Sequence, residues 1–281
     1  MSVVAERAAG LVAVESGAPL VREPLPAGWH RADRLLTDET LLRDTISAYG
    51  AALGAPTLPV AAALAFKAYS YDVLEPVVTG WTTRRRVLDV DPAITAIRPT
   101  SGGYGVAVTA HRLTVLRDDP LARAPGVAVA AGEDDLLAVL RATLVESHLA
   151  PAVEAFRRIR GGGARPLWGT VAQSLCYPVT VADPQLVPDL DADVARLLST
   201  LAPDVAALVE AAELYDGARW RPALLRRTCC YGYALPSGAL CSTCCLVNDA
   251  ERDRMAAERG TKWRRRPTPL AVPPAGRSTA S

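Results

Sequence analysis

The chain has 281 residues, half of them hydrophobic, and its 31 basic and 30 acidic residues leave a net charge of +1. That apolar content supplies a sizeable core for one large domain or two small ones, and the near-neutral balance excludes the broad basic footprint of a nucleic-acid-binding protein. No segment reads as a stable membrane span, because the longest apolar stretch, 60–80, carries Lys67, Asp72, Glu75 and Pro76.

Residues 1–30 read as irregular. They lack the basic start and long apolar core of a secretory signal, and Glu6 and Glu15 interrupt them, which predicts a cytoplasmic protein. Thr37, followed by Asp38 and Glu39, predicts an N-cap with an acidic first turn and a helix to about residue 53. A second helix is expected from Pro59 towards residue 78. The period then changes: alternating β-branched residues around Gly102 and Gly103 over 94–116 predict two or three short antiparallel strands. Glu133, Asp134 and Asp135 suit the positive end of a helix running to about 147, and Pro151 opens another that ends at Gly161. Further helices are expected over 166–176, 191–201 and 203–215. The segment around Pro236, Ser237 and Gly238 has turn chemistry and predicts a loop and hairpin. A polar helix over 248–258 and a disordered basic, proline-rich tail from Lys262 complete the chain. The expected fold class is α+β, mainly helical, with a small antiparallel sheet in the middle and a C-terminal cysteine-rich hairpin. The expected division is an N-terminal lobe over 1–130, a helical lobe over 131–260 and a tail over 261–281.

The chemistry concentrates in that hairpin. Five of the six cysteines lie between 229 and 245, in RRTCCYGYALPSGALCSTCCLVND. Cys229, Cys230, Cys241 and Cys244 form a C-C-x10-C-x2-C pattern. Disulfides rarely persist in a reducing compartment, so the thiols read as metal ligands or redox groups. Structural zinc sites pair C-x2-4-C units. Cys241 and Cys244 fit that spacing, but adjacent Cys229 and Cys230 do not easily serve one small tetrahedral ion. A [2Fe-2S] cluster takes four thiolates and offers two metal atoms. The spacing leaves both open and makes zinc the less natural.

The cysteine pattern resembles the C-terminal signature of the FhuF family of siderophore-iron reductases. ESHLAPAVEAF (146–156) is similar to that family's His-Leu-x-Pro helix start, and RPLWGTVAQSL (165–175) to its Leu-Trp-Gly segment. Arg226 and Arg227 precede the double cysteine as a basic pair commonly does there. The resemblance is good over roughly 145–250, looser over 60–145 and absent from the last twenty residues. The sequence departs from the family at Cys245, where proline is frequent. That thiol competes with Cys244 as a ligand or serves as a small buried residue, and the C-x2-C spacing favours Cys244. The resemblance implies a [2Fe-2S] cluster on Cys229, Cys230, Cys241 and Cys244, a ferric siderophore as substrate, and an external electron donor, either a ferredoxin-like protein or a small reductant. The two arginines would raise the cluster potential and attract an anionic ferric complex, or else form a solvated face.

Two other readings remain. The cysteines could form a structural zinc knuckle in a non-catalytic protein, or the chain could belong to siderophore biosynthesis, where a related helical domain occurs. No H-E-x-x-H, Walker or G-x-S-x-G motif is present, so no nucleotide or flavin site is evident. His148 is weighed between a role near the site and a satisfied structural position, the second being favoured; His30 and His111 have no supporting context. Cys176 and Trp168 read as core residues, although Arg165 and Gly169 beside Trp168 keep a binding role open.

Overall fold

A computed structural model describes residues 17–183, 185, 187, 189–215, 217–236, 238 and 240–266. The expectations for residues 1–16 and for the tail beyond 266 lie outside these, as does the turn residue Ser237.

The fold is α+β and is built around one long helix. Short α1 (Ala32–Thr37) ends at Asp38, and it is Asp38 rather than Thr37 that caps α2 (Glu39–Leu53), accepting from the Leu41 amide at 3.0 Å. Gly54, at φ 68°, lets the chain turn in the left-handed region after α2. Helix α3 (Leu58–Arg84) is capped by Thr57 and has Pro59 in its first turn, where no amide is missed. It runs past the expected end at 78 because it is apolar on nearly every face. Phe66, Tyr69, Val73, Leu74, Val77, Val78 and Trp81 are completely buried, as expected of a helix enclosed by others. Helices α2, α5 and α6 pack against it.

The run from Glu133 does not break at Pro151. Helix α4 (Glu133–Leu140) passes through a π-helical stretch (Arg141–Leu149) into α5 (Ala150–Arg160). Pro151 has no amide to donate, and it is tolerated at the seam where the wider register hands over to α5. By length and composition Glu133–Arg160 is long and apolar enough to cross a membrane, but Leu136, Leu140, Leu144, Leu149, Val153 and Phe156 are completely buried against the rest of the fold. Helix α6 (Arg165–Val181) extends beyond the expected 176, with α7 (Leu190–Ser199) and a single turn, α8 (Pro203–Ala206), after it. One buried cluster joins Leu35, Phe66 and Ile97 to Phe156, Leu175 and Leu224, so the core is continuous across residue 130.

The described strands form three small sheets rather than one. β1 (His30–Arg31), β3 (Thr95–Pro99) and β4 (Tyr104–Val108) are antiparallel, with Ile97 opposite Val106. β2 (Arg86–Leu88) pairs antiparallel with β5 (Leu113–Leu116), which pairs parallel with β6 (Val127–Ala130). The third sheet corrects two expectations. Residues 209–215, expected as helix, are strand β7 (Val209–Tyr215), and Lys262 onwards, expected as tail, begins with strand β9 (Lys262–Arg265). β7 lies between β9 and β8 (Trp220–Arg226), all antiparallel. Glu210 pairs with Arg265 and Glu213 with Arg264, so the acidic strand and the basic segment hold each other in place. The hairpin is therefore β7–β8, upstream of the cysteines. The cysteine segment itself, expected as a hairpin, is loop with one 3-10 turn (Gly232–Ala234). The described residues of this loop have no strand partners.

Candidate functional site: the cysteine loop and its cavity

β8 delivers the chain to the double cysteine. Its last residue, Arg226, is buried and donates to Thr170 Oγ1 of α6 at 2.7 Å, and its amide donates to Thr243 O at 2.9 Å, which draws the returning half of the loop alongside. The next contact explains the Leu-Trp-Gly segment. Thr228 packs so closely on α6 that a Cβ on Gly169 would overlap its Oγ1, Cγ2 and Cβ. Gly169 thus lets the residue before Cys229 lie on the helix backbone.

Tyr231 follows the double cysteine in the left-handed region, at φ 63°, a conformation that costs a non-glycine residue about 1–2 kcal/mol. Arg160, at the end of α5, holds it by donating to the phenol oxygen at 2.9 Å, with its guanidinium 5.2 Å from the ring centroid. This reversal brings the Tyr231 amide to 3.3 Å from Cys229 Sγ. On the other half of the loop, the Cys244 amide donates to Cys241 O at 2.9 Å and closes the C-x2-C turn, and the Leu246 amide lies 3.5 Å from Cys244 Sγ. Arg252 of α9 (Asp249–Glu258), which Asn248 caps, is buried and donates to Ser242 O, to Val247 O at 2.8 Å and to Cys244 O at 3.4 Å.

All six cysteines are free. Cys241 is exposed, Cys244 buried, and Cys229, Cys230 and Cys245 intermediate. Burial pushes the Cys244 thiol up; the Leu246 amide opposes this, while negative charge on Cys241, Cys229 and Cys230 adds to it. The Cys245 thiol is pushed up to about 11 by burial first, then by Cys244 and Cys229, with Arg226 opposing. The other three motif thiols are thus within electrostatic reach of Cys244, and a cation beside it would relieve that repulsion. Among the described residues, no group of three or more His, Cys, Asp or Glu is close enough to hold a metal ion. The donor set fits a [2Fe-2S] cluster in kind and number, and two of the thiols already meet backbone amides, as cluster sulfurs commonly do. Coordination would require the thiols to draw closer.

Cys241 and Thr243 also border a cavity of about 560 Å³. Its other walls come from both halves of the chain, with Tyr49, Lys67, Tyr71 and Asp72 on one side and Gln173, Tyr177 and Arg226 on the other. Sequence reading did not locate this cavity. Its lining is scattered over α2, α3, α6 and the loop, and the nearest local signal was Arg226. Of the basic pair, Arg227 is exposed and pairs with Glu210 at 3.4 Å, whereas Arg226 is buried.

The remaining candidates are structural. His148, in the π-helical stretch, is fully buried; its Nδ1 donates to Val90 O at 2.5 Å and its Nε2 accepts from Tyr69 Oη at 2.7 Å. A carbonyl can only accept, which fixes this tautomer. Cys176 is fully buried and its thiol is pushed up by burial. Trp168 is partly buried and lines a smaller cavity of about 170 Å³ with Arg141 and Val205, away from the cysteines. His30 lies in β1 and His111 is partly buried in a loop. No family model and no curated protein matches the chain.

Proposed function

We propose that the chain is a FhuF-type ferric-siderophore reductase of the cytoplasm, with Cys229, Cys230, Cys241 and Cys244 holding a [2Fe-2S] cluster. The observation that carries this reading is that the C-C-x10-C-x2-C thiols lie in a single loop braced by Arg226 and Arg252, whose exposed member, Cys241, borders a ligand-sized cavity. When bound, the cluster would supply one electron to Fe(III) in a docked complex, and a separate one-electron donor would restore it.

The chain's own groups do the rest. Hard oxygen donors hold Fe(III) tightly and Fe(II) far more weakly, so a single electron suffices to make the metal exchangeable. The Tyr231 and Leu246 amides donate to the Cys229 and Cys244 sulfurs and would share the charge these carry when they hold the cluster. Arg226, Gly169 and Arg252 fix the loop against α6 and α9, which keeps Cys241 at the cavity edge. To test the reading, dithionite-reduced protein would be mixed anaerobically with a ferric siderophore in the presence of a ferrous chelator. Reoxidation of the protein with matching appearance of Fe(II) is expected. Fully reduced protein that yields no Fe(II) would overturn the reading.

A further inference from the structure

Asp72, near the middle of α3, stands in the wall of the large cavity. Its Oδ2 accepts from the Tyr104 amide at 2.7 Å, which ties α3 to the β3–β4 hairpin. A Cβ on Gly103 would come within 2.7 Å of the same oxygen, so glycine in that turn leaves the carboxyl its room. Among the described residues Oδ1 has no hydrogen bond and the carboxyl has no ion pair, although Lys67 and Arg226 line the same space. Burial holds this carboxyl above its ordinary titration range; the Tyr104 amide opposes the shift and Glu75 adds to it. The groups across the cavity act in both senses. Lys67 and Arg226 favour the carboxylate, whereas Cys241, a thiolate when it holds the cluster, favours the acid. The nearby phenols of Tyr49, Tyr71 and Tyr104 are all pushed up by burial and stay neutral. An unpaired carboxyl that keeps its proton to higher pH than usual, in the wall of a ligand-sized cavity, is equipped to act as a general acid.

We propose that Asp72 protonates an oxygen donor of the iron chelate held in this cavity and so frees the iron once it is reduced; this rests on the reductase reading. Fe(III) holds its ligand oxygens as anions of low basicity. An electron on the iron weakens the Fe–O bonds and makes those oxygens more basic. The carboxyl O–H bond then breaks, and its proton forms an O–H bond on the ligand as one Fe–O bond opens. The Asp72 carboxylate takes a proton back from water at the open side of the cavity. The electron is the one already assigned to the reduced cluster, so the step needs no further reductant. Reduction alone leaves the Fe(II) chelated, whereas reduction followed by protonation releases it.

The step is separated from electron transfer by starting with iron that is already reduced. The Fe(II) complex of a hexadentate hydroxamate, prepared with dithionite, is mixed anaerobically with saturating reconstituted full chain and a ferrous chelator. Fe(II) capture is timed between about pH 5.5 and 8. Wild-type protein is expected to speed capture at least about tenfold over the protein-free rate at the acid end. That acceleration is expected to fade as pH rises, because the Asp72 acid is then lost to its carboxylate. Asp72→Asn keeps an oxygen for the Tyr104 amide but has no acidic proton to give, and is expected to abolish the acceleration. The wild-type pH profile decides the matter even if that variant fails to fold. Capture no faster than without protein, an acceleration indifferent to pH, or full acceleration by Asp72→Asn would each overturn the proposal. Accelerated capture from the Fe(II) complex, with no Fe(II) obtained from the ferric complex and reduced protein, would sink the reductase reading and leave the role of Asp72 standing.

Discussion

Gly169 and His148 show how single residues of the two family-like segments act at a distance from any chemistry. Gly169 has no side chain because Thr228 occupies the space. Gly169→Ala is expected to push the residue before Cys229 off α6, to cost about 1–3 kcal/mol and to lower metal loading of the purified protein. Unchanged loading and melting would contradict the role given to this contact. His148 is neutral in the fold, with its pKa lowered to about 4 by burial. An imidazole in the unfolded chain titrates near its ordinary 6.5. Between those values the unfolded chain takes up a proton that the folded chain refuses. Stability is therefore undiminished above the upper value, falls as pH drops through the window, and levels off below about 4. The full loss is roughly 3 kcal/mol. His148→Gln, which cannot titrate, is expected to be less stable at neutral pH yet to lose less on acidification. Urea midpoints at pH 7 and 4.5 for both proteins decide this; equal acid losses would assign the acid sensitivity to other groups.

Among the elements, the helices were legible and the third sheet was not. The apolar run of α3 and the acidic start of α4 are local signals, so they could be read from neighbours in sequence, whereas the cap of α2 was read one residue early, at Thr37 instead of Asp38. Val209–Tyr215 is rich in Glu, Ala and Leu and favours helix by propensity; its strand exists because it pairs along its whole length with β8 and on its other edge with β9, where Glu210 and Glu213 also meet arginines. Those arginines in turn read as a disordered tail, since their partners lie some fifty residues away. The cysteine loop was legible in composition but not in shape. Its bracing comes from Arg252, whose guanidinium collects carbonyls of Ser242, Cys244 and Val247. Arg252→Ala strands those acceptors and is expected to cost about 1–3 kcal/mol. Alkylation of Cys244, now buried, is expected to approach the rate at exposed Cys241. A variant that keeps Cys244 protected would show that the loop does not depend on this arginine.

For the whole molecule, the continuous core draws α3 from the first half against α5 and α6 from the second. The cavity opens where these helices meet the cysteine loop, so its lining could not be read from any one stretch of sequence. The four motif cysteines were readable in sequence as a set, and the fold places them in one loop, where among the described residues no three such donors are close enough to hold a metal ion. The central claim is that these thiols hold a two-iron cluster, and it is tested most directly by the anaerobic absorption spectrum of the reconstituted protein, with iron and zinc quantified on the same sample and on Cys241→Ser. The account predicts two irons per chain and visible bands that bleach with dithionite, both lost or much reduced in the variant. A colourless protein holding one tightly bound zinc, or a Cys241→Ser variant with the full wild-type spectrum, would contradict it.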